Sequence, residues 1–237
     1  MKTLRMKLIE AIKRTPTVRS FRFLPEERMN FTAGQFLKLI FDENNPDNKE
    51  LNKPLSVSSS PEKEYIELTK RLTGSVFSER LKNLKTGDSV LAQGPLGSCV
   101  LDESYQRIAF IIGGIGITPV ISIIEYLMDA KKYATDIVLV YSNRSEEEIA
   151  FKNELDSWQK ENPNLKVLYT VTDCPPNDKK CIFGRINKEL LLERVIDLKE
   201  RRVFIFGPSK MVEDIHALIK SVGVPALCIE VQSFVGY

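Results

Sequence analysis

The sequence predicts a β plus α/β protein, with a six-stranded antiparallel barrel over residues 1–100 and a five-stranded parallel α/β domain over residues 101–237. Three observations carry this. Short alternating runs fill the first hundred residues. After Val100 the rhythm changes to apolar runs separated by helix-like stretches, the pattern of βαβ units. Between Phe110 and Val120, FIIGGIGITPV takes an apolar run straight into a glycine loop. The boundary is expected near Val100–Gln106.

In the first half the strand candidates are KLIEAIKR, VRSFRFLP, QFLKLIF, KPLSVSSS, EYIELTKRL and DSVLAQGPLG, parted by turn residues such as Pro25, Gly34, Asn44–Asn48, Pro61 and Thr86–Asp88. One stretch, Gly74–Leu84, has helical spacing, with Val76, Phe77, Leu81 and Leu84 on one side. In the second half strands are expected at Ile108–Ile112, Ile137–Tyr141, Val167–Val171, Val203–Phe206 and Ala226–Val231. Helices are expected over TPVISIIEYLMDAKK, SEEEIAFKNELDSWQK, NKELLLERV and SKMVEDIHALIKSVG. Ser145 followed by three glutamates reads as a cap and an acidic first turn. Asn162-Pro163 and Gly223 close helices.

Composition narrows the function classes. Hydrophobic content of 43%, charged content of 28% and a net charge of +2 describe a globular protein without a basic face for nucleic acid. No run is long and apolar enough for a membrane span, and the charged amino-terminal stretch lacks a signal core, so a cytoplasmic location is expected. Cys99, Cys174, Cys181 and Cys228 have no zinc or iron–sulfur spacing, so no metal site is expected and the thiols read as buried or idle. His216 is the only histidine, which leaves little for histidine-based catalysis.

The loop Gly113-Gly114-Ile115-Gly116 opens a helix at Thr118-Pro119, where free N–H groups and the helix dipole suit a pyrophosphate. Its pattern is not G-x-G-x-x-G, and no acid closes the next strand, VLVYSNRS. The same glycines would also serve close packing of a strand–helix turn. Three further segments belong with it: KPLSVSSSP, TGSVFSERL, and Gly207-Pro208-Ser209 at the end of VFIFGPSKMVEDI. Ligands gather at the carboxyl ends of parallel strands, which brings the last segment beside the glycine loop.

Taken in order, these motifs resemble the ferredoxin–NADP reductase superfamily of flavin oxidoreductases, closest to its single-chain members such as oxygenase reductase components and cytochrome b5 reductases. The resemblance spans nearly the whole chain. It implies a flavin-binding barrel, FAD or FMN as cofactor, and NADH or NADPH as co-substrate. By resemblance Lys53, Leu55 and Ser56, with Pro54 between, stand where the family has R-x-Y-S. Lysine there supplies charge without a guanidinium fork, and leucine covers a ring without stacking. Gly74, Val76, Phe77 and Ser78 would meet the flavin pyrophosphate through their backbone, with Lys70 and Arg71 near the flavin tail. Gly113, Gly114, Gly116, Thr118 and Pro119 would take the nicotinamide cofactor's pyrophosphate and nicotinamide end.

The family's C-G-P-P segment corresponds to Phe206, Gly207, Pro208 and Ser209, followed by Met211. The resemblance places an aromatic near the flavin face, with Phe234 and Tyr237 both candidates for a gating role; Glu230 or Gln232 marks the family acid. Asp173 favours NADH, while Asn143-Arg144 points the other way. Ser56 and Thr118 are the residues expected at the reacting atoms. The implied function is an NAD(P)H-dependent flavoprotein reductase that passes electrons to ferredoxin, a cytochrome, an oxygenase component or a small molecule. A free flavin reductase, and an electron-transfer subunit of a larger complex, are the alternatives.

Overall fold

A computed structural model describes residues 2–234. The chain forms two compact units, one running up to Leu101 and including Thr118–Ala130, the other comprising Asp102–Ile117 and the chain from Lys131 onward.

In the first unit, strands Lys2–Lys13 (β1), Val18–Pro25 (β2), Phe36–Ile40 (β3), Asn52–Ser56 (β4), Ile66–Arg71 (β5) and Ser89–Leu96 (β6) form one antiparallel sheet in the order β4-β3-β6-β1-β2-β5. A bridge from Val57 to Leu68 brings the two ends of that order together. Alternation does the folding work: Leu4, Met6 and Leu8 of β1 turn inward while their neighbours face solvent. Phe21, Phe23, Leu37, Leu39 and Leu68 complete the core, and helix Val76–Lys82 (α1) inserts Phe77 and Leu81 into it. A bulge between Leu8 and Glu10 shifts the β1 register against β2.

The second unit holds Arg107–Gly113 (β7), Asp136–Asn143 (β8), Leu165–Val171 (β9), Cys181–Phe183 (β10), Arg202–Pro208 (β11) and Ile229–Phe234 (β12). The sheet is parallel, in the order β10-β9-β8-β7-β11-β12. It has six strands rather than the expected five. The sixth, β10, is three residues long within a polar loop, too short to show a period. β7 lies inside the sheet and is buried along Ile108–Gly113, which explains its unbroken apolar run. Ala109, Ile111, Val203 and Ile205 pack with Leu191 and Val195 near helix Lys188–Arg194, and with Ile215 and Ile219 of helix Ser209–Ser221. Arg201, only 4% exposed, is held by Asp136 and Asp197 and donates to the carbonyls of Ile108 and Asp136 at 3.1 Å.

The helix Thr118–Asp129 (α2) starts where expected, after a short turn of 3-10 helix at Gly114–Ile117. The expected cap at Ser145 is corrected. Ser145 makes no capping bond and precedes only a 3-10 turn over Glu146–Glu148. The helix proper, Lys152–Glu161 (α3), begins after Phe151, whose φ of 60° breaks the helical path. With the last two helices taken in order, Lys188–Arg194 is α4 and Ser209–Ser221 is α5. Asn187 caps α4, accepting from the Leu190 N–H at 2.8 Å.

Candidate functional site

In the first unit the end of β4 and its loop carry four serines, all buried, whose hydroxyls differ in what they bond. Ser58 Oγ lies 2.7 Å from Thr69 Oγ1. Ser59 Oγ accepts from the Glu67 N–H at 3.0 Å, and Ser60 Oγ from the Glu62 N–H at 3.1 Å. Ser56, 5% exposed, makes no side-chain hydrogen bond to any described residue. A hydroxyl with no protein partner at a strand end is free to bond a ligand. Beside it, Leu55 is partly buried against the barrel core and Pro54 is exposed.

Cations collect on the same part of the barrel. Lys70 on β5 is half-buried, and burial together with the charge of Lys53 holds its ammonium below the ordinary lysine range. Among the described residues no carboxylate bonds either lysine. Register adds two cations that the sequence reading missed: Arg19 pairs with Lys70, and Lys13 with Arg19, in one row across β1, β2 and β5. Arg71 instead donates to Thr17 Oγ1 at 2.8 Å. The signal for Arg19 lay in strand alternation, but only the pairing register aligns it with Lys70. A second feature escaped the sequence reading as well. Glu67, 2% exposed, receives Arg14 at 3.0 Å and Arg22 at 2.9 Å behind the serines, a buried and fully paired carboxylate.

At the start of α1, a Cβ built on Gly74 meets no protein atom, so space stands open there. Ser75 caps the helix by accepting from the Ser78 N–H, while the first-turn N–H groups of Val76 and Phe77 gain no partner from the helix itself. Phe77 and Ser78 have side chains committed to the protein: Phe77 packs edge-on to Phe41 at 5.3 Å, and Ser78 Oγ meets Ser75 Oγ at 3.1 Å. Only their backbone is left for an anion. Open space at Gly74, the two lysines and the Ser56 hydroxyl fit a phosphate-bearing ring cofactor.

In the second unit the glycine loop and the end of β11 interlock. A Cβ on Gly113 would stand 2.2 Å from Met211 Sδ, and one on Gly116 would stand 2.7 Å from the Phe206 carbonyl oxygen. Gly114 has φ of 52°, in the left-handed region. Packing therefore accounts for Gly113 and Gly116, and backbone conformation for Gly114. Gly207, Pro208 and Ser209 follow directly, with Ser209 opening α5. Phe206 is fully buried and packs edge-on to Phe204 at 5.9 Å. Phe234 ends β12 in register with Pro208. Tyr237 lies outside the described residues. Glu230 is paired with Arg202 at the near end of β12, well short of Phe234, so the acid candidate is engaged elsewhere.

The carboxyl ends of β8 and β9 hold the residues bearing on cofactor choice. The Asp173 N–H donates to the Arg144 carbonyl at 2.8 Å, so the two opposed candidates are joined through their backbone, and both side chains are exposed. Just before Arg144, the buried carboxamide of Asn143 has no hydrogen-bond partner, and neither has the Thr170 hydroxyl. Unmet buried polar groups at the carboxyl end of a parallel sheet match a ligand-binding end. Thr118 and Pro119, both buried, begin α2 in the first unit. The structure thus gathers Lys53, Leu55, Ser56 and Lys70 on the barrel, and the glycine loop, Gly207–Met211 and Phe234 on the sheet.

Residues 5–100 match the family model of the oxidoreductase FAD-binding domain, and residues 110–217 that of the oxidoreductase NAD-binding domain. An NADH-cytochrome b5 reductase 1 of Mortierella alpina is 26% identical over 224 residues, covering 92% of this chain and 74% of that protein. An NADH-cytochrome b5 reductase-like protein of Arabidopsis thaliana is 32% identical over 167 residues, covering 69% of this chain. This chain spans only 51% of that protein's length. Among solved structures, a ferredoxin NADP+ reductase from Neisseria gonorrhoeae with bound FAD and NADP superposes with a TM-score of 0.82 at 21% identity, covering 98% of this chain and 99% of that one. Among the described residues, no helix is long and apolar enough to cross a membrane.

Proposed function

Because the chain belongs to the ferredoxin–NADP reductase superfamily, with its paired FAD- and NAD-binding domains, we propose that it oxidises NADH and delivers the electrons through bound FAD to an acceptor protein. In sequence the flavin-binding part ends at residue 100, although α2 returns to the barrel's compact unit. The observation that carries the reading is β4, where Ser56 has no protein partner for its hydroxyl and Lys53 lies close enough for its charge to act on the half-buried Lys70, neither lysine having a carboxylate partner among the described residues.

When bound, the flavin would supply the redox chemistry, hydride acceptance and electron release. The chain's own residues bind and orient. Lys53, Lys70 and Arg19 hold phosphate charge, with the open backbone at Gly74–Phe77 as a second anchor. Leu55 would cover the ring face of a bound flavin, and Ser56 would offer its hydroxyl where charge on the ring changes. Gly113–Gly116 and Gly207–Ser209 bind the dinucleotide, and Thr118 orients its reacting end. By the family resemblance, Phe234 and Tyr237 are the two candidates for an aromatic that would cover the flavin face. Asp173, exposed at the end of β9, disfavours a 2′-phosphate and so favours NADH. The similarity to cytochrome b5 reductases supports a protein acceptor such as a cytochrome, ferredoxin or oxygenase component.

Ser56→Ala tests the assignment. The variant is expected to keep its flavin while anaerobic reduction by NADH slows about tenfold, the worth of one hydrogen bond made at the reacting ring. Reduction at the wild-type rate would remove Ser56 from the site.

A further inference from the structure

The helix α2 is bonded to the barrel loop that follows Ser56. Ser122 Oγ, fully buried, donates to the Ser59 carbonyl at 2.7 Å. The Ser60 N–H donates to Glu125 Oε2 at 2.6 Å. Lys63, a little further along that loop, reaches Asp129 at 2.9 Å and Glu125 at 3.7 Å. Ser122, Glu125 and Asp129 fall on one side of the helix, three or four residues apart. This explains why α2, which begins at the nucleotide loop, belongs to the barrel's compact unit.

We propose that Ser122 and Glu125 are positioning residues: they hold α2, and with it Thr118, in fixed register with the loop carrying Ser56, and so set the rate of hydride transfer without contributing to the affinity for either cofactor. The inference rests on the hydride-transfer reading above and deepens it. Nothing in the glycine loop or the β4 motif requires a carboxylate at position 125. Its cost is visible, since burial pushes the Glu125 carboxyl above the usual range despite the Ser60 N–H and Lys63 opposing the rise, with Asp129 and Glu67 adding to it. A carboxylate kept in such a place has a partner to hold, here the Ser60 N–H. The three-point attachment spans both turns of the helix nearest the barrel loop, which a single contact could not orient.

Hydrogen–deuterium exchange on the flavin-free full chain tests the attachment by itself. Glu125→Ala is expected to speed exchange over residues 57–61 and 118–126 about tenfold while β1 and β8 stay unchanged. Glu125→Gln, whose amide oxygen still accepts from Ser60, is expected to behave as wild type. Pre-steady-state reduction of the FAD-loaded protein tests the positioning. Glu125→Ala and Ser122→Ala are expected to slow flavin reduction about tenfold with unchanged dissociation constants for FAD and NADH, and Glu125→Gln to restore the rate. Wild-type reduction rates in both alanine variants, or unchanged exchange in Glu125→Ala, would overturn the proposal. Should Glu125→Ala fail to fold, Ser122→Ala carries both measurements. A wild-type chain that NADH does not reduce would defeat the functional reading instead, and the exchange result would still decide whether the attachment exists.

Discussion

Four serines stand within five residues at the end of β4 and in its loop, and hydrogen bonding separates them where sequence does not. Ser58, Ser59 and Ser60 are spent on β5, Tyr65 and the turn after them; Ser56 is left open. The lysines nearby show the opposite imbalance, charge without a counter-charge. Bound phosphate would favour the charged form of Lys70, whose value is lowered by burial and Lys53. Flavin affinity is therefore expected to hold at low pH and to fall as pH rises through that lowered value, because the neutral amine no longer attracts phosphate. Lys70→Met should weaken flavin binding about tenfold and flatten the dependence, as fluorescence titration across pH would show. Cofactor choice also belongs to single residues. Asp173→Ser is expected to narrow the preference for NADH over NADPH about tenfold in kcat/KM, since a like charge opposing the 2′-phosphate is removed. An unchanged ratio would shift the decision to Arg144, whose carbonyl bonds the same turn.

At the scale of elements, the glycine loop shows how one motif answers to two demands. Gly113 is crowded by a flexible thioether, Gly116 by backbone. Gly113→Ala is thus expected to be tolerated once Met211→Ala makes room. Gly116→Ala should cost about 1–3 kcal/mol in chemical denaturation with no such rescue, because the Phe206 carbonyl cannot withdraw. Equal rescue of both would contradict the geometry. Most strands were legible for a physical reason. Alternation in β1 and β2 and unbroken apolarity in β7 reflect one-sided and two-sided burial, respectively. The start of α3 was not legible, since Ser145 and the acidic run carry every local helix-start signal. The chain turns through left-handed Phe151 before the helix forms, and tertiary packing buries that side chain. Arg19 and the bonds from α2 to the β4 loop were equally hidden, because both depend on which elements become neighbours.

For the whole molecule, the two halves of the sequence carry separate chemistries, and each half was recognisable from ordered motifs rather than from any one of them. On the proposed reading, the departures at Lys53 and Leu55 would loosen the hold on the flavin, and Arg19, in register with Lys70, would supply the guanidinium that position 53 lacks. The most direct test is the visible spectrum of the purified, dialysed chain, followed by anaerobic addition of NADH. The account predicts the bands of bound flavin, identified as FAD after denaturation, bleached by NADH more readily than by NADPH. A chain that takes up no FAD, or that holds FAD which neither nicotinamide cofactor reduces, would contradict it.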